Sequence, residues 1–209
     1  MDIVQRFLNY TKINTTTNRA AGAAGIMPSN PKELELAGFI KNELEALGIK
    51  NISLSEKSIL IAKIPSNLDA PAPSIAFFAH LDTSAEQSGD TKAQIVRYEG
   101  GDICLNKELE IYLKESENEE LQDYKGDEII VTDGTSLLGA DDKAAIAAIV
   151  NALEFFVQNP QKCTGIFCPK SADQTRRDNR LLRAGRGAGL AGRKGAGRKR
   201  DRRRLWVLP

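Results

Sequence analysis

Histidine is almost absent from this sequence. His80 is the single one among 209 residues, so any imidazole chemistry rests on that position. Cysteine is scarce as well: Cys104, Cys163 and Cys168 are the whole complement, and their spacing suggests no disulfide framework, which points to a reducing compartment. No apolar run approaches the length that spans a bilayer, and the opening Met1-Asp-Ile-Val-Gln-Arg-Phe-Leu8 has no charged segment leading into an apolar one. These absences argue against a membrane partner and predict a soluble, cytoplasmic protein.

Charge of one sign is missing locally rather than overall. The 29 Lys+Arg nearly balance the 28 Asp+Glu, but from Lys162 onward there are 15 basic and 3 acidic residues, which leaves 14 basic and 25 acidic before it. The body is therefore near −11 and the tail near +12. Such asymmetry marks either a nucleic-acid or membrane arm or two pieces of different origin. We divide the chain into a folded domain over residues 1–160 and a basic, low-complexity tail over 161–209, whose low apolar content predicts disorder.

Along the body, Ile3, Val4, Phe7 and Leu8 recur at helical spacing and predict a short opening helix. Thr15 to Gly25 is small and polar and reads as a loop. Asn30-Pro-Lys-Glu33 has the makings of a helix start, with Leu36, Phe39, Ile40, Leu44 and Leu47 as its apolar stripe and Gly48 as its stop. Asn51–Leu54 and Ser58–Ile64 predict two strands. Gln87 to Gly126 is polar and acidic and reads as a surface excursion with a turn at Gly100-Gly101-Asp102, before a short strand at Glu128–Thr132. This order of helices and strands predicts an α/β layered domain.

Two stretches carry chemistry. In Ser74-Ile-Ala-Phe-Phe-Ala-His80-Leu-Asp82-Thr83 an apolar run ends in an imidazole and, two residues on, a carboxylate. Ile75 to Ala79 reads as a buried parallel strand, and ligand crevices in open α/β sheets lie at the carboxyl ends of such strands. Side chains alternate along an extended chain, so His80 and Asp82 share one face, a pairing that suits metal ligation or proton transfer. The second stretch is Leu137-Leu-Gly-Ala-Asp141-Asp142-Lys143-Ala, which opens a helix with Ile146, Ile149, Val150 and Leu153 on one face. A carboxylate there ordinarily caps the helix, a contribution of about 1 kcal/mol, and the alternative is that it reaches a metal.

Taken together, the two stretches resemble the peptidase T family, tripeptide aminopeptidases within the di-zinc metallopeptidases that also include glutamate carboxypeptidases and aminoacylases. Arg6-Phe-Leu-Asn-Tyr10, the Gly100-Gly101-Asp102 turn and Thr132-Asp-Gly-Thr-Ser-Leu-Leu-Gly139 extend the resemblance over about residues 1–160. It implies the amino-terminal part of an αβα layered catalytic domain and a small peptide substrate cleaved after its first residue. It implies His80 as a zinc ligand, Asp82 as the catalytic-site carboxylate that orients His80, and Asp141 as the bridge between two zinc ions about 3.5 to 4 Å apart. Asp142 is then a structural neighbour.

The tail departs from the resemblance. The family's glutamate pair, one of them the general base, its further aspartate ligand and its distant histidine have no match in residues 162–209, which contain no Glu and no His. The expectation is a truncated catalytic domain with an incomplete zinc set and no useful activity. Written as AGA-AGA-GAY, Arg176-Arg177-Asp178 reads Glu-Glu when shifted by one base, so we read the tail as a frameshifted remainder of the gene. The competing reading is a nucleic-acid-binding arm, since Arg198–Arg204 holds six basic residues among seven. Against it, the tail offers only Phe167 and Trp206 as stacking aromatics, and Cys163 and Cys168 have no second ligand pair nearby.

Overall fold

In the computed structural model, residues 1–67, 73–87 and 89–160 are described in full, together with the backbone of Gly165–Phe167 and Leu205–Val207. The disorder, frameshift origin and nucleic-acid role expected of the tail otherwise fall outside the described residues.

Local rules set the helix ends. Helix α1 (Ile3–Thr11) is capped by Asp2, whose carboxylate accepts from Gln5 N–H at 2.8 Å. Helix α3 (Lys32–Ala46) opens as the sequence predicts: Asn30 Oδ1 accepts from Lys32 N–H at 2.9 Å, and Glu33 Oε1 reaches back to Asn30 N–H at 3.1 Å. It closes at Gly48, whose φ of 86° lets Gly48 N–H bond Glu45 O and Ile49 N–H bond Leu44 O at 2.9 and 3.1 Å. Between them, Thr15–Gly25 is not all loop, because helix α2 (Arg19–Ala23) lies within it, capped by Asn18 on Ala21 N–H. Its alanines and glycine form no apolar stripe, so periodicity could not reveal it.

Strands β1 (Asn51–Leu54) and β2 (Leu60–Ile64) pair antiparallel, Asn51 opposite Lys63. The sheet continues through β8 (Gly165–Phe167), antiparallel to β2 and parallel to β3 (Ala76–Phe77), in the order β1-β2-β8-β3. The buried strand expected over Ile75–Ala79 is corrected here: only two residues are strand, and Ile75, Phe77 and Phe78 are 53%, 50% and 59% exposed. An apolar run predicts burial only where a layer covers it, and β3 lies at a sheet edge.

The second correction concerns Gln87–Gly126. Strand β4 (Gln94–Arg97) pairs with β7 (Glu128–Val131), which takes β9 (Leu205–Val207) on its other side, while β5 (Ile103–Asn106) and β6 (Ile111–Leu113) form a hairpin. Tyr98, Ile103, Leu121, Ile129 and Val131 are buried together as a small core. Its apolar residues are too widely spaced among acidic ones, in strands too short, to show a period.

The main core joins Phe7 and Tyr10 of α1, Leu36, Ile40 and Leu44 of α3, Leu60 and Ala62 of β2, and Ile146, Val150 and Leu153 of α4 (Ala140–Gln158). Ala79, Leu81 and Leu138 belong to the same cluster. The two chemistry-bearing stretches are thus anchored in one core. Among the described residues no helix is long and apolar enough to cross a membrane.

Candidate metal centre

Burial alternates from Ala79 to Thr83: Ala79, Leu81 and Thr83 are buried, and His80 and Asp82 are half-buried. Leu81 and Ala79 pin the segment to the core, which puts the intervening imidazole and carboxylate on its other side. His80 Nδ1 lies 2.8 Å from the backbone oxygen of Asp82 and 3.3 Å from Asp82 Oδ1. A carbonyl oxygen can only accept, so the neutral imidazole that satisfies it carries its proton on Nδ1 and leaves the Nε2 lone pair free. That Nε2 lies 2.9 Å from Asp141 Oδ1.

Asp141 and Asp142 sit in the first turn of α4 without helical backbone, at φ/ψ of −88°/100° and −122°/19°. The departure carries both carboxylates to His80. Asp142 Oδ2 accepts from the backbone N–H of His80 at 3.3 Å, a contact across 62 positions and not a cap on its own helix. Gly139 makes the approach possible: its φ is 71°, and a Cβ added there would lie 3.0 Å from Thr83 Cγ2. A side chain at that position would push the Asp82–Thr83 turn away from the start of α4.

One ligand atom each from His80, Asp141 and Asp142 lie within 4.8 Å of one another. The structure thus brings together His80 and Asp141, the two expected metal ligands, and holds Asp82 against the far side of the imidazole. It adds Asp142, expected as a structural neighbour. The only sequence signal for Asp142 was adjacency to Asp141, which by itself says nothing about direction.

Electrostatics follows from the crowding. Burial disfavours the His80 imidazolium, but the carboxylates of Asp82 and Asp141 outweigh it and raise the imidazole to about 9. Burial pushes the Asp142 carboxyl up, with His80 opposing. Lys143, 1% exposed, donates from Nζ to Ile13 O at 2.7 Å, and burial draws it down to about 8. An imidazole nitrogen with two carboxylates is a donor set that fits Zn²⁺.

Fold and donors together define an α/β domain with a candidate metal-binding group of one imidazole and two carboxylates. Comparison with known proteins places it more narrowly: over 162 residues the chain is 43% identical to a Peptidase T of Clostridium botulinum and 44% identical to a Peptidase T of Parabacteroides distasonis. Each match covers 77% of this chain and 39% of the relative. The chain is a peptidase T-like, amino-terminal segment that spans about 39% of the length of the curated relatives it matches. No family model matches it.

Proposed function

We propose that this chain carries part of the metal centre of a zinc-dependent tripeptide aminopeptidase, within a layered di-zinc catalytic domain. One observation carries the reading, the convergence of His80, Asp141 and Asp142 from distant parts of the sequence within 4.8 Å. His80 and Asp141 are the ligands, Asp82 orients the imidazole, and Asp142 adds a third donor. When bound, zinc would supply Lewis acidity to a peptide carbonyl and a water made more acidic. The residues of this chain have the preparatory tasks: His80 presents Nε2 with its proton held on Nδ1, Asp82 keeps the ring in that orientation, and Asp141, its side chain 90% exposed, opens the centre to solvent on one side. The compartment is the cytoplasm, in keeping with the scarcity of cysteine. The nucleic-acid alternative rests on residues outside those described.

For this chain we infer zinc binding without turnover. A general base contributes roughly 10² to 10⁴ in rate, and the glutamate that would serve as one has no match after residue 160. The test is hydrolysis of a tripeptide by the purified, zinc-loaded chain. The expected result is no release of the first residue above the metal-only control. Zinc-dependent turnover that disappears in His80→Ala would contradict the inactivity and leave the centre standing.

A further inference from the structure

Residues Ile13–Thr17 connect both halves of the candidate centre. On one side Lys143, the residue after Asp142, donates from Nζ to Ile13 O. On the other, the segment pairs with the His80–Asp82 loop: Thr15 Oγ1 donates to Leu81 O at 2.7 Å, Thr83 N–H to Thr15 O at 3.0 Å and Thr17 N–H to Thr83 O at 3.0 Å. The Thr17 hydroxyl then lies 2.7 Å from Asp82 Oδ2 and 3.0 Å from Thr83 O. A hydroxyl has a single proton to give. The contact to Asp82 is the shorter of the two and is charge-assisted, so it is the one the hydroxyl serves.

This arrangement fixes the Asp82 carboxylate from behind. With Oδ2 on Thr17, Oδ1 is left facing His80 Nδ1 at 3.3 Å, a second and longer contact beside the 2.8 Å one that Nδ1 makes to the backbone oxygen of the same residue. We propose that Thr17 is a positioning residue of the metal centre, acting on His80 through Asp82. Partners at this remove from a metal typically contribute about 10- to 100-fold in affinity, because they hold a ligand in the one orientation that binds. The inference rests on the metal-centre reading above and names a residue 65 positions before Asp82 and still farther from Asp141.

Equilibrium zinc binding, measured by competition with a chromophoric chelator, tests it in the full chain, with metal-free melting followed in parallel. Thr17→Val is expected to bind zinc roughly tenfold more weakly, whereas Thr17→Ser, which keeps the hydroxyl, stays within roughly twofold of the original. In an Asp82→Ala background, Thr17→Val should have no further effect, because the two act in series. Thr17→Ala removes the same hydroxyl without the valine methyl groups and should match Thr17→Val. Unchanged affinity in both hydroxyl-free variants, or an equal loss with and without Asp82, overturns the proposal. So does a loss of the metal-free fold in both, which would make Thr17 structural. A wild-type chain with no zinc affinity removes the metal-centre reading itself, which the variants alone cannot do.

Discussion

At His80 the proton and the metal compete for one nitrogen. Asp82 and Asp141 outweigh the effect of burial and hold the imidazolium up to about 9, so near neutrality the metal-free ring is protonated on both nitrogens. Zinc needs the neutral ring, and binding therefore releases a proton at any pH below that value. The sign follows: affinity rises with pH, by roughly tenfold per unit for a single released proton, and flattens once pH passes the raised value. Calorimetry across pH 6.5 to 8 in buffers of different ionisation heat measures the proton released directly. A flat affinity over that window would show that His80 is not the group displaced. The same carboxylates act in opposite directions in metal-free stability. A raised histidine stabilises the fold below its unfolded value, and that contribution is lost as pH climbs through about 9.

The residues of this centre were legible in the sequence to different degrees. His80 and Asp82 stood out because an apolar run ends on them, and strand alternation placed them on one side. Asp141 was ambiguous between cap and ligand, and only the non-helical backbone at Asp141 and Asp142 decides its direction. Thr17 left no trace, since a threonine in a polar stretch has no periodic or charge signature, and it reaches Asp82 only because the chain there pairs, Thr16 beside Thr83, with Thr17 N–H on Thr83 O.

Among the elements, three helices are fastened at one buried point. Arg6 of α1, 1% exposed, donates from Nε to Glu43 of α3 and from Nη2 to Glu154 of α4, both at 2.7 Å, and from Nη1 to Asn151 at 3.2 Å. Tyr10 OH adds a bond to the other Glu43 oxygen at 2.6 Å. Because α4 also carries Asp141 and Asp142, this junction fixes the helix whose first turn builds the centre. Arg6→Ala strands two carboxylates and should cost about 3 kcal/mol in urea unfolding at pH 7. Arg6→Lys should recover little, because one ammonium cannot reproduce a planar fork aimed at two helices. Arg6 holds Glu154 below the usual carboxylate range, so its stabilisation is present above the unfolded value and lost as pH falls through the lowered one. The gap between Arg6→Ala and the original chain should narrow in acid. A constant gap would assign the loss to packing alone.

Element boundaries were readable where a cap or a stripe marked them, as at Asn30, Glu33 and Gly48 for α3. They failed where neither existed. Helix α2 has a cap at Asn18 but no apolar stripe, and the β4–β7 region gathers isolated apolar residues that become a core only after the chain doubles back. The exposed Phe77 and Phe78 show the converse, a strong local signal whose outcome depends on what lies over it.

For the whole molecule, two motifs about sixty residues apart meet because both are rooted in one core: Leu81 on one side, Ile146 on the other. The peptidase T-like match over 162 residues concerns the body as a whole, whereas the donor cluster is one place within it. The charge asymmetry between the acidic body and the basic tail was plain from composition, yet it did not point to the centre, whose three donors among the described residues all lie in the body. The scarcity of histidine makes the central claim easy to test. An X-ray absorption spectrum of the zinc-loaded chain at the zinc edge reports the atoms bound to the metal, and any imidazole it detects must be His80. The account predicts one imidazole among oxygen donors, lost in His80→Ala. An all-oxygen shell, sulfur ligation, or a spectrum unchanged by that substitution would contradict it.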